Sequence, residues 1–137
     1  MVRIDEGRMR SLGDQFEDRQ NAETSIEPML PGIPLTVTMD EEGYESLARI
    51  LLQAYNQSAR GKGKDRHANQ RPFDEQPILR LAEMTGVGGP VFQAMKKQQE
   101  AVSMTTRGEY DKAIHELLGS IVYSAAAIRH IETLSAS

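Results

Sequence analysis

The strongest constraint in this sequence lies near its end, where Ile114, Leu117, Leu118, Ile121, Val122, Ala125, Ile128 and Ile131 fall on one broad helical face. Thr106 and Glu109, three residues apart just ahead of that stretch, have capping-box spacing and predict where the helix begins. Gly119, Ser120, Ser124 and the run Ala125-Ala126-Ala127 make one side of it thin, which permits a close helical neighbour. Another subunit is a candidate for that neighbour.

Three further helices are predicted upstream. Tyr44, Leu47, Ala48, Leu51, Leu52 and Tyr55 recur at three- and four-residue steps, with Thr38 and Glu41 at capping-box spacing ahead of them. They predict a helix from about Asp40 to Ala59, stopped by Gly61 and Gly63. A short helix is expected from Asp74 or Pro77 to about Met84, ended by Gly86. Pro90 suits the first turn of another, carrying Val91, Phe92, Met95, Gln99 and Val102 to about Met104. Three Phe, four Tyr and no Trp suit helices packed through Leu, Ile, Ala and Met better than a sandwich of strands. The fold class is therefore all-α: a compact helical bundle or paired helical hairpins with an extended N-terminal arm.

Residues 1–37 form that arm and residues 38–137 the helical domain. Residues 1–30 hold few large apolar side chains, too few to offset the entropy of ordering by themselves. Leu35-Thr36-Val37-Thr38, behind Pro28, Pro31 and Pro34, reads as an extended piece too short to found a sheet.

The composition narrows the function. With no cysteine, there is neither a disulfide nor a thiolate metal site. Residues 1–14 lack the apolar run of a secretion signal, and nowhere do about 18 apolar residues follow one another, so a soluble cytoplasmic protein with no membrane contact is expected. A net charge of −4 gives no general attraction to nucleic acid, which is not an expected partner.

The one strongly basic segment supplies the candidate site. Arg60, Lys62, Lys64, Arg66 and His67, spaced by Gly61 and Gly63, can bring amides and cations together on a phosphate. It is not a Walker loop, because Asp65 follows the second lysine and no buried strand precedes it. Asn69 and Phe73 continue it with a hydrogen-bonding group and an aromatic face suited to a base. Lys96 and Lys97, on a helical face with Gln93 and Glu100, add charge or else form an exposed face with a Lys97–Glu100 pair; Arg129 completes the ligand-binding set. The competing reading of the basic run is a solvated interhelix loop. His115 and Glu116 are adjacent and diverge by about 100° on a helix, so no metal site is read there. No catalytic triad order is present.

From Tyr44 to Glu132 the chain resembles small uncharacterised bacteriophage proteins with a glycine-lysine-arginine-histidine loop, a lysine-rich helix and a closing Leu-Leu-Gly-x-Ile-x-Tyr helix. Here these are Gly61 to His67, Lys96-Lys97-Gln98-Gln99-Glu100, and Leu117 to Tyr123. In size, hairpin helices and basic loop it is also similar to phage anti-defence sponge proteins, small oligomers that sequester cyclic-oligonucleotide or Thoeris signals without hydrolysis. That likeness implies a homo-oligomer acting in the host cytoplasm on a phosphorylated, nucleotide-like small molecule, with no cofactor. The helix order resembles the MazG and dUTPase-like pyrophosphohydrolases too, whose paired carboxylates hold magnesium. The matching positions here read Lys97-x-x-Glu100 and Glu116-x-x-Gly119, one carboxylate where two are needed. A sponge is the leading expectation; a MazG-like hydrolase and a module that binds a host protein are the alternatives.

Overall fold

The computed structural model describes residues 2–4, 35–60 and 71–137. The elements run β1 (Val2–Ile4), β2 (Leu35–Val37), α1 (Glu45–Ala59), a single 3-10 turn (Phe73–Glu75), α2 (Pro77–Thr85), α3 (Gly88–Thr106) and α4 (Tyr110–Ser135). The fold is all-α apart from one short ladder. No helix among the described residues is long and apolar enough to cross a membrane. The chain divides into two units, residues 1–52 and residues 53–137.

In the first unit β1 pairs in parallel with β2, Val2 opposite Leu35, Arg3 opposite Thr36 and Ile4 opposite Val37. Although the extended tetrapeptide is expected to be too short for a sheet, three of its four residues, Leu35–Val37, form a two-stranded ladder with Val2–Ile4. Thr38 and Glu41 do not begin the helix. A turn at Glu42 and Gly43 intervenes, with Gly43 at φ +83°, a conformation that suits glycine and interrupts a helix. Helix α1 starts instead at Glu45, whose Oε1 accepts from the Gly43 N–H at 3.2 Å.

The second unit is a three-helix layer. Pro77 and Pro90 sit in the first turns of α2 and α3, where the missing N–H costs nothing. Gly86 ends α2 at φ +74°. The second expected capping box also fails: Thr106 closes α3, its hydroxyl donating back to the Val102 carbonyl at 3.1 Å. The chain then reverses through Arg107, Gly108 (φ +75°) and Glu109. Glu109 accepts from Arg107 Nε and Lys112 Nζ, each at 2.9 Å. These bonds, Arg107's first, hold its carboxyl down at about 2.

Helices α3 and α4 make the most extensive contact of the fold, and α2 packs on both. Most of the residues they bury are small: Ala94 and Ala101 from α3; Ala113, Gly119, Ser120, Ala126 and Ala127 from α4, with Pro90 and His130 buried as well. Leu79 is the one large aliphatic side chain buried among the described residues. The thin side of α4 therefore meets a helix of its own chain, and the bulky stripe of Ile114, Leu117, Ile128 and Ile131 is left exposed. Close approach of two backbones explains the choice, since alanine, serine and glycine let helices draw together.

Candidate functional site

Lys62, Lys64, Arg66, His67 and Asn69 lie outside the described residues. Both flanks of their segment are described, and both are held on α4. On the upstream side the Gln57 side-chain amide donates to the His115 carbonyl at 3.1 Å. Arg60 prolongs α1, its N–H bonded to the Asn56 carbonyl at 2.9 Å. Downstream, Phe73 opens the 3-10 turn and is half-buried, and its neighbour Asp74 accepts from Arg129 Nε at 3.0 Å. Arg129 also reaches Glu132 at 3.6 Å, and the hydrogen bond to Asp74 raises its already high pKa. The two anchor points on α4, His115 and Arg129, are separated by roughly 21 Å along the helix axis.

Between α3 and α4, beside the upstream anchor, lies Lys97. Its Nζ donates to Glu116 Oε2 at 2.7 Å, and the two side chains are only 27% and 18% exposed. Its stem runs along Gly119: a Cβ there would stand 3.0 Å from Lys97 Cδ. Its ammonium lies 6.0 Å from the Tyr123 ring centroid, at the outer limit for attraction between a cation and an aromatic face. The Lys97–Glu100 pair expected from helical spacing does not form. Glu100 goes to Lys96 at 3.7 Å instead, and Lys97 crosses to the neighbouring helix. The reason is rotational: Lys97 is on the face of α3 that carries Ala94 and Ala101, whereas Lys96 is turned about 100° outward.

The structure thus puts Lys97 midway along α3, against the first half of α4 where His115 anchors the end of α1, and puts Arg129 in the second half of α4. Lys96 stands apart on the exposed face. Sequence reasoning missed Glu116, Gly119 and Tyr123 as the setting of Lys97. Glu116-x-x-Gly119 with Tyr123 one turn on was visible as a spacing, but only the α3–α4 register shows that Lys97 faces it. Nothing in the sequence marks Gln57 or Asp74 as anchors.

Among the described residues no three His, Asp or Glu side chains converge in a way that would hold a metal ion. An open pocket of about 350 Å³ lies elsewhere, lined by Thr38, Met39, Asp40, Tyr44, Leu47 and Leu51 among others, and none of the expected site residues borders it. Compared with protein-family models, curated proteins and solved structures, the chain matches none.

Proposed function

We propose that this chain binds a phosphorylated, nucleotide-like small molecule and sequesters it without hydrolysis. The observation that carries the reading is Lys97. Its ammonium is partly withdrawn from water, oriented by Glu116 and set beside Tyr123, on the stretch of α4 whose His115 carbonyl accepts from Gln57 near the end of α1. An ammonium has three donors; one goes to Glu116, and a fixed cation of this kind loses less entropy on meeting a phosphate than a free surface lysine does. Tyr123, beside Lys97, offers an aromatic face to a base.

The comparison with pyrophosphohydrolases supports binding over turnover. Where such an enzyme sets carboxylates around magnesium, this chain sets Lys97 against Glu116, and an ammonium at 2.7 Å from the carboxylate competes with a divalent ion for the same oxygens. The resemblance to bacteriophage proteins extends the proposal to an anti-defence role, in which the bound molecule is an immune signal of the host.

Calorimetry with a panel of cyclic oligonucleotides and ADP-ribose derivatives tests this. Heat with at least one of them, lost in Lys97→Met, and ligand recovered unchanged by chromatography are the expected results. Silence across the panel refutes the reading. Magnesium-dependent release of pyrophosphate from nucleoside triphosphates, abolished by Glu116→Gln, transfers the site to the hydrolase class.

A further inference from the structure

Helix α4 carries a second apolar side that no other described element covers. Ile114, Leu117, Ile121, Ser124, Ile128 and Ile131 follow one another at alternating steps of three and four residues, the seam pattern of a helix that packs against a partner along its length. Ile114, Leu117, Ile128 and Ile131 are 45% to 58% exposed, and Ile121 is half-buried. Helix α3 has a matching row, Val91, Met95, Gln98 and Val102, with its three apolar members 41% to 68% exposed.

The two rows share one side of the hairpin. In each helix the row lies about 100° clockwise, seen from that helix's N-terminus, of the face that meets the sister helix. Antiparallel helices are related by a local two-fold axis, so equal rotations in the same sense bring both rows to the same side. Helix α2 packs on both helices and leaves these rows exposed.

The polar members of this face each have a hydrogen bond within the chain. Ser124 Oγ donates to the Ser120 carbonyl at 3.0 Å, and Gln98 Nε2 to Ser120 Oγ at 3.0 Å. The Ser124 hydroxyl and one Gln98 N–H keep these partners when the face is covered, which lowers the cost of burying them. The exposed apolar area of the two rows comes to several hundred Å², at or above the roughly 300–600 Å² of the largest patch on a typical monomer. It is of the same order as the ~800 Å² that each partner contributes to a standard interface.

We infer that a second copy of this chain docks on this face, so that two α3–α4 hairpins close a four-helix bundle through the Ile114–Ile131 seam and the Val91–Val102 row. A second copy fits because the face is self-complementary: it is a two-helix layer of aliphatic rows, and a two-fold axis lays one such layer on another. The thin side of α4, already filled by α3, is not the interface. This assignment is independent of any ligand.

Sedimentation of the full chain tests it. A mass of at least twice 15.3 kDa and a melting temperature that rises with protein concentration are expected. Ile114→Glu with Ile128→Glu is expected to halve that mass while helical circular dichroism is kept, since both side chains are more than half exposed. Should that variant unfold, the concentration dependence of the wild-type melting temperature still decides. A 15.3 kDa wild-type particle with concentration-independent melting overturns the inference, as does a doubly charged variant that keeps the larger mass. A monomer whose seam amides gain hydrogen exchange only when residues 1–34 are removed also overturns it, and assigns the face to the chain's own N-terminal segment.

Discussion

The pair formed by Lys97 and Glu116 can be weighed by a double-mutant cycle, with Lys97→Met keeping the aliphatic stem along Gly119 and Glu116→Gln keeping the shape of the acid. At 2.7 Å the gross attraction of two unit charges is roughly 6 kcal/mol at an effective dielectric constant of about 20. Most of this is offset by the hydration both groups lose on packing between two helices. Hydrogen bonds to charged groups net about 1.5–3 kcal/mol, and fully exposed ion pairs about 0.2–1 kcal/mol. Side chains 27% and 18% exposed stand between these cases, so the expected coupling is about 1–2 kcal/mol. Urea unfolding of the wild type, both single variants and the double variant, followed by far-ultraviolet circular dichroism at one fixed protein concentration, measures it. A coupling below about 0.3 kcal/mol, the additivity limit for independent sites, would show that the ammonium is solvated and refute the claim that Lys97 is held in place.

Gly119→Ala is expected to leave wild-type stability nearly unchanged, because the ~1 kcal/mol an alanine ordinarily gains over glycine inside a helix is spent displacing Lys97. In a Lys97→Ala background the same change is expected to show its full gain in urea unfolding. Ala126→Leu, at a position with no exposed surface, is expected to cost about 1–3 kcal/mol by overpacking, read as a lower denaturation midpoint. Glu109 has its folded pKa depressed to about 2, so its contacts with Arg107 and Lys112 stabilise the fold above the ordinary value of 4.5 and fade as pH falls toward 2. The stability gap between wild type and Glu109→Gln is accordingly expected to shrink over that window, with the Glu109 carboxyl carbon titrating near 2 by nuclear magnetic resonance.

Helix content was legible because it depends on local pattern. Pro77, Gly86 and Pro90 marked their boundaries correctly, since a missing N–H or a positive φ acts within a few residues. The two capping boxes misled for one shared reason: Thr38 and Thr106 have the right spacing to Glu41 and Glu109, but Gly43 and Gly108 lie close enough to take the turn for themselves. Periodicity identified the apolar stripe of α4 without saying what lies against it. Burial is decided by which face a neighbour can approach most closely, and here the small residues drew α3 while the larger ones stayed outside. Candidate cations were readable by charge, but their partners were not. Lys97 to Glu116 and Arg129 to Asp74 are separated by 19 and 55 positions, and such pairings follow from helix register alone.

The reversal through Arg107, Gly108 and Glu109 bears on how the chain acquires its structure. A three-residue link brings α3 and α4 together at little closure entropy, so their zipper of alanine and serine assembles from contacts that are neighbours in sequence, the kind that folds fastest. The β1–β2 ladder must wait for the ends of residues 5–34 to find each other. A refolding chain therefore forms its hairpin first, and the bulky isoleucines are presented to solution before slower events are complete.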